Sequence, residues 1–505
     1  MKAAAAWVCA RRWRQVLLLV AVSAAIFLPR LGATGLSMSE GHRAIPAWEM
    51  LADARAGEAH WLVPRMFETA YLRKPPGMLW AIAGSTAVFG ETEFAARFPS
   101  ALSAMLLGIA VWWFATRWFG SPWGLAAGLA QVLLPVTWPS ARSAEIESLH
   151  LLTTGVACLV AIHMGVCRSR ALPGRAVAFG VALAAMLVTK GPAGVPFVFA
   201  AVLVMGIGKA SLNRLIMLVI AASLSVSLTM GWVLRPFSQV TEPAVRQGVE
   251  SFLWDTSNVL EILTLGPVVL LTMLPASLAL LFPWGPDARR ERQASGEGAT
   301  APTVDLSRKL AWASVLSLAF LTVFGVDNAR YGLPLCALLT PLVAYVARGS
   351  AGAFVGTRPG IARALLLRSR VAWPVLLLIG GVVYLGVFEP KRRASSGRDA
   401  GIALAAHLPD GAEVWADEMI EARPEVLYYA VREAERQGRD VRVRWLKPSF
   451  LPGETPDSLL LLLREDDRID EIAAFDAMPR FGTLREITRG RVHKYTFVLV
   501  RAGDE

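Results

Sequence analysis

Apolar residues fill much of the first 390 positions in blocks, most of them long enough for a membrane-crossing helix, with polar connections of varied length between them. A hydrocarbon layer about 30 Å thick takes roughly 20 apolar residues in helical form, fewer where Lys or Arg snorkels at the ends. Blocks of that kind lie at about 15–31, 98–118, 122–139, 145–166, 173–189, 192–207, 213–235, 259–283, 310–326, 331–348 and 371–389, which predicts about 11 transmembrane helices. The stretch 76–90, PGMLWAIAGSTAVFG, is apolar but short; it reads as a re-entrant or interfacial helix, with a true span as the alternative. From about residue 395 the pattern changes. Strand-like runs AEVWAD, VRVRWL, SLLLLLRE and YTFVLVRA alternate with helix-like EVLYYAVREAERQ and DRIDEIAAFDAM, which predicts a small soluble α/β domain over 395–505. The expected fold is an all-α polytopic membrane domain over 1–394, followed by that α/β domain.

Composition agrees with the pattern. Of 505 residues, 54% are hydrophobic and only 18% charged, and the mean hydropathy is +0.46, too apolar for an ordinary water-soluble globule. A net charge of +11 would suit nucleic acid, but much of the excess sits in short stretches such as RRWR at 11–14, CRSRALPGR and RALLLRSR beside apolar runs. That is cytoplasmic anchoring, and no nucleic-acid-binding motif is visible. With RRWR in the cytoplasm, eleven spans put CRSRALPGR, GKASLNR, the polar linker 284–309 and the arginine-bearing 346–370 on the same side. The same alternation sends 32–97, 139–144, the Lys190 turn, 236–258, 327–330 and the C-terminal domain to the outer face. The four cysteines form no CxxC and no polar cluster, which argues against disulfides and a thiolate metal site. The N-terminus resembles a signal peptide; with so many apolar blocks after it, it reads as a retained first helix.

Charges at membrane depth are costly, so those at span boundaries are informative. Glu40, His42, Arg43, Lys74, Arg142, Glu145, Glu147, His150, Lys190, Asp327 and Arg330 all fall on the outer side of this topology. Lys and Arg at a membrane surface suit the phosphate of a lipid carrier, Arg with forked donors and Lys as a point charge. A carboxylate nearby suits removal of a proton from an acceptor hydroxyl or amine, while the cations stabilise the leaving phosphate. That combination is glycosyl transfer from a lipid-phosphate sugar.

The motifs carry a resemblance as well. SEGHRAIPAWEML followed by YLRKPPGMLW resembles the first outer loop of the multi-span GT-C glycosyltransferases, in the branch of the lipid A aminoarabinose transferases and protein O-mannosyltransferases. ARSAEIESLHLL, LVTKGPAGVPF and NARYGLPLCALL resemble that family's later motifs, in family order, over roughly residues 15–345. The resemblance implies a polyprenyl-phosphate sugar donor, a lipid, glycan or protein acceptor, and a bacterial inner-membrane location with a periplasmic C-terminal domain. It implies that Glu40 is the second acid of a pair, and that Lys74, Lys190, Arg330 and Tyr331 line the carrier-phosphate region. The pair's first acid, usually the favoured catalytic Asp, is Ser39 here. Glu40 is the expected catalytic residue in its place, with Glu147 as the alternative acid and loss of activity as a third outcome. Arg43, Arg142 and Glu147 complete the expected substrate-binding set. A divalent cation near Glu40 is compatible with this chemistry and is not demanded by it, because Lys and Arg can neutralise a monophosphate.

Plainer readings exist for each residue. Glu40 can be a loop acid paired with Arg43; Lys74 and Lys190, each followed closely by proline, can be interfacial anchors. Arg142 and Glu147 can form a local ion pair at a helix start, and the many Trp residues an interfacial belt. In a different class stands a transporter or flippase of lipid-linked precursors, which would place ionisable or helix-breaking features near the midplane in two related halves. The mid-span segments here are nearly uncharged and no halves are apparent.

Overall fold

A computed structural model of the chain describes residues 7, 10–58, 60–67, 69–71, 74–166, 172–206, 212–232, 259–274, 276–284, 302–324, 326, 328–352, 380–417, 423–446, 459–464, 485–492 and 495–502. The first part is a helical bundle and the last a mixed sheet with helices. Among the described residues, five helical stretches are long and apolar enough to cross a membrane, six if the bent pair Leu265–Thr272 and Ala276–Trp284 counts as one. The five are Glu93–Phe119, Glu147–Val166, Pro173–Met205, Pro302–Val323 and Ala329–Arg348.

Local sequence accounts for their limits. Thr92 caps Glu93–Phe119, its side chain accepting from the Ala95 amide, and Gly120 ends it at φ 95°. Its 27 residues make about 40 Å of helix, more than the hydrocarbon thickness. The expected block 122–139 is broken: helix Ser121–Leu133 stops before Pro135, and a 3-10 turn and the four-residue helix Trp138–Ala141 follow. Proline removes the amide that would continue the ladder. The short apolar block 76–90 forms helix Gly77–Phe89, with 13 residues. Block 371–389 is described only from residue 380, and loop 236–258 lies outside the described residues.

The stretch Pro173–Met205 folds back on itself, as helix Leu172–Lys190, a 3-10 turn Gly191–Gly194 and helix Val195–Gly206. Lys190, at its middle, bonds Glu147 at the start of Glu147–Val166, while Met205 packs on Gly165 at that helix's other end. Leu172–Lys190 must also run from the end of that helix back to its beginning, since only 167–171 connect them. The reversal sits at Gly191, at φ 60°, a left-handed value that glycine adopts without a Cβ clash. Small residues bring neighbouring helices close: a side chain on Gly124 would collide with Thr116, and one on Gly108 with Val132. In a bilayer such close packing supplies association that water would otherwise drive.

The two ends of the bundle differ in charge. One end gathers Arg12, Arg14, Arg117 and Arg175 at the termini of their helices, with His163 accepting from Trp118 Nε1 at 3.0 Å. The opposite end holds Glu40, Arg97, Arg142, Glu147 and Lys190.

At this second end the chain adds a hairpin, β1 (Arg65–Met66) with β2 (Thr69–Ala70), and then the C-terminal sheet. That sheet has β3 (Ala412–Asp417), β4 (Val441–Leu446), β5 (Leu459–Arg464), β6 (Arg485–Val492) and β7 (Tyr495–Ala502) in the order β4-β3-β5-β7-β6. β3 pairs in parallel with β4 and β5, and β7 is antiparallel to β5 and β6. The four strand-like runs of the sequence are all strands; β6 is an additional one, and DRIDEIAAFDAM lies outside the described residues. Helix Pro424–Arg436 crosses from β3 to β4 and buries Val426, Leu427 and Ala430 against Val414 and Val443.

The sheet unit docks on the outer loop. Leu36 donates its amide to the Tyr429 hydroxyl at 2.7 Å, and that hydroxyl donates to Glu93 at 2.8 Å. Tyr428 stacks near Trp48 and, with Arg432, reaches Glu91. Burial of the Tyr428 and Tyr429 hydroxyls, together with the carboxylates they face, holds both phenols in the neutral donor form.

Candidate active site

The site forms where five chain segments meet: the loop after helix Arg12–Phe27, the start of Glu93–Phe119, the segment 142–147, the turn at Lys190 and the turn at Arg330. Glu40 lies at its base. Its carboxylate takes Arg97 in a two-pronged pair, Nε to Oε1 at 2.7 Å and Nη2 to Oε2 at 2.8 Å. The Ala144 amide donates to Oε1 at 3.0 Å, and the Ser37 amide and hydroxyl donate to Oε2 at 3.1 Å. Five donors exceed the roughly four lone-pair positions of a carboxylate, and Glu40 is only 1% exposed. Arg97, fully buried, spends its remaining donors on the carbonyls of Leu31, Thr34 and Gly35. The pair is a clamp that ties the outer loop to helix Glu93–Phe119 and to the segment at Ala144.

Arg97 was not among the expected residues. The signal was present in ETEFAARFPSAL, a cation inside the first turns of an apolar helix, where a charge needs a partner.

Arg142 is used in a comparable way. It donates to the carbonyls of Ile26, Phe27 and Pro29 at 2.7–3.1 Å and lies 4.9 Å over the Tyr384 ring. A cation on the last carbonyls of helix Arg12–Phe27 satisfies acceptors that the helix cannot. Arg43 bonds the Tyr71 hydroxyl, and His42 stacks on Tyr71. These three side chains shape the outer loop and its junction with helix Arg12–Phe27.

The residues that converge are Ser39, Glu145, Glu147, Lys190, Arg330 and Tyr331. Lys190 Nζ lies 3.2 Å from Glu147 and 4.4 Å over the Tyr331 ring. The exposed Arg330 guanidinium flanks the same ring at 5.9 Å. Lys74 stands three residues before Gly77, whose position leaves room for no Cβ against the Val188 carbonyl and Thr189. That contact brings the backbone of the segment that follows Lys74 beside the Lys190 turn. Asp327 lies outside the described residues.

Ser39 donates to Glu145 Oε1 at 2.8 Å. Burial, with the adjacent Glu147 carboxylate adding to it, pushes the Glu145 carboxyl up to about 7; the Ser39 bond opposes that rise. Ser39 and Glu145 are both partly exposed, unlike Glu40. Among the described residues, no group of three or more His, Cys, Asp or Glu side chains is placed to hold a metal ion.

Comparison with known proteins bears on the fold. Residues 73–233 match the family described as dolichyl-phosphate-mannose-protein mannosyltransferase. Over its described fold the chain aligns with ArnT from Cupriavidus metallidurans, covering 97% of this chain and 99% of that one at TM-score 0.63 and 18% identity. The chain has the ArnT-like GT-C fold. The resemblance read from the outer-loop motifs is thereby borne out. The same ArnT bound to undecaprenyl phosphate aligns at TM-score 0.60 and 17% identity, over 97% and 99% of the two chains.

Two curated relatives carry the name undecaprenyl phosphate-alpha-4-amino-4-deoxy-L-arabinose arabinosyl transferase. One, from Pseudomonas savastanoi, is 27% identical over 144 residues, 28% of this chain and 23% of the relative. The other, from Pseudomonas fluorescens, is 35% identical over 112 residues, 22% of this chain and 20% of the relative. The matched parts therefore span about a fifth of those relatives' length.

Proposed function

We propose that this ArnT-like chain is an inverting glycosyltransferase that moves a sugar from a polyprenyl-phosphate donor to a lipid, glycan or protein acceptor at the outer face of a bacterial inner membrane. The observation that carries the reading is the meeting of Lys190, Arg330, Tyr331 and Glu147 at one end of the bundle, backed by Glu145. Lys190, Arg330 and Lys74 would hold the donor phosphate and stabilise the charge that grows on it as the sugar bond breaks. Glu147 orients Lys190, and Tyr331 gives both cations an aromatic face. The relatives' names support an undecaprenyl-phosphate sugar as donor, as does the undecaprenyl phosphate in the similar ArnT structure.

The basic end with Arg12, Arg14, Arg117 and Arg175 supports a cytoplasmic assignment for that side. The site and the C-terminal sheet at the opposite end then face the periplasm. That arrangement needs an odd number of crossings, and about eleven fits if further helices such as Arg12–Phe27 and Leu212–Trp232 also cross. We take 1–394 as the membrane domain and 395–505 as the periplasmic domain, which covers the outer loop through Tyr428 and Tyr429.

The test is reconstitution in liposomes with radiolabelled undecaprenyl-phosphate aminoarabinose or mannose, with a lipid A and glycan acceptor extract outside. Release of unlabelled undecaprenyl phosphate with label on an acceptor supports transfer. Donor that crosses the bilayer intact would replace this reading with a flippase.

A further inference from the structure

Where the family carries its first acid, this chain has Ser39, and the site still contains a carboxylate at that spot. It arrives from another segment. Ser39 Oγ lies 2.8 Å from Glu145 Oε1; a serine Oγ takes the place of an aspartate's carboxyl carbon, so a carboxylate oxygen sits within a hydrogen bond's length of where that carbon would stand. We propose that the proton-accepting carboxylate has moved from position 39 to Glu145, with Ser39 as its positioning residue.

The inference rests on the glycosyltransferase reading and deepens it. Three carboxylates lie close together, and two of them are paired directly with a cation. Glu40 is saturated by Arg97, Ser37 and Ala144. Glu147 is bound to Lys190. Glu145 takes the Ser39 hydroxyl, shares a hydrogen bond with Glu147 that favours its protonated form, and keeps part of its surface open.

Its backbone is fixed from both sides, which a reacting group needs. The Ser100 hydroxyl donates to the Glu145 carbonyl at 3.2 Å, and the Ala144 amide next to it is held by Glu40. The Glu40–Arg97 clamp thus anchors the segment that carries the base. The charged groups facing Glu145 are Glu147 on the following helix, Glu40 from the outer loop, and Lys190 from the neighbouring hairpin. The two carboxylates disfavour its ionised form and Lys190 favours it. A carboxyl that ionises near neutrality is suited to accept a proton, because a weaker base would hold the proton less well.

The step balances without another reactant. The acceptor O–H or N–H gives its proton to Glu145 as its lone pair forms the bond to the anomeric carbon. The bond from that carbon to the phosphate oxygen breaks on the opposite face, and its electron pair leaves on the polyprenyl phosphate, held by Lys190 and Arg330. Configuration inverts.

The experiment compares wild type, Glu145→Gln, Ser39→Asp and the double variant Ser39→Asp/Glu145→Gln in liposomes with undecaprenyl-phosphate aminoarabinose. It follows undecaprenyl phosphate release and, separately, undecaprenyl phosphate binding by thermal shift. Expected are a loss of at least a hundredfold in turnover for Glu145→Gln with binding kept, and recovery to within about tenfold of wild type in the double variant, the range over which a positioned base acts. The double variant's pH profile should also move to lower pH, because the restored carboxylate no longer has an acid beside it at 145. If wild type turns over and Glu145→Gln stays within threefold of it, the relocation is overturned while the function stands. A double variant that binds undecaprenyl phosphate and remains as inactive as Glu145→Gln also overturns it. If wild type binds undecaprenyl phosphate but releases none from the donor, the transferase reading itself falls, and the role of Glu145 with it.

Discussion

Replacing Glu40 by glutamine separates a clamp from a base. The substitution keeps size and one acceptor oxygen but removes the negative charge opposite Arg97, and it turns an NH2 toward groups that are themselves donors. Both side chains are essentially out of solvent, at 0% and 2% exposure, so water cannot take over the lost role. Removing one partner of such a pair costs about 3–5 kcal/mol, because the remaining charge stays buried. At 1.4 kcal/mol per factor of ten, that is roughly two to four decades in the equilibrium for local opening. Hydrogen exchange should read it as a matching fall in protection of the amides at 31–44 and 142–146, the segments that Arg97 and Glu40 join. Adding Arg97→Met should cost less than the two single changes summed, since the orphaned cation goes too. It should not restore wild type, because the carbonyls of Leu31, Thr34 and Gly35 lose their donor. Native protection at these amides in Glu40→Gln, together with abolished transfer, would refute the clamp and return Glu40 to the reacting role expected from the sequence.

Other outcomes follow from the same contacts. Arg330→Met should leave thermal stability near wild type, because the side chain is exposed, yet raise the donor KM roughly tenfold or more through loss of a charged phosphate contact, read by steady-state kinetics. Gly191→Ala should lower stability by about 1–2 kcal/mol, since a Cβ is strained at φ 60°; denaturant unfolding in detergent checks it. Tyr429→Phe leaves the Leu36 amide without its acceptor and should cost about 1–3 kcal/mol, seen as faster exchange in helix Pro424–Arg436. For Glu145 the carboxyl is raised from 4.5 to about 7, so the folded protein binds this proton more tightly than the unfolded chain. Its contribution to stability is complete below pH 4.5 and lost as pH rises through 7, and Glu145→Gln should flatten that decline in melting curves taken across the range.

Block length and hydropathy alone indicated a helical membrane protein, because every backbone group in hydrocarbon must be bonded within its own segment and only long apolar helices can do that. The alternating runs after 395 indicated strands for the equally local reason that side chains on a strand point to opposite faces. The Lys190 turn was legible too, since a Gly-Pro step after an apolar run leaves the chain few ways to continue. The roles of the acids were not. Glu40, Glu145 and Glu147 look equivalent along the chain, and which of them is saturated depends on Arg97, Ser39 and Lys190, residues far away in sequence that the fold sets beside them. Arg142 likewise reads as a phosphate ligand until helix Arg12–Phe27 is seen to end against it. Sequence settles what each segment must bury, because burial is decided by local composition. Tertiary packing settles which charge meets which, because a buried ion pair is made from partners whose distance along the chain carries no signal.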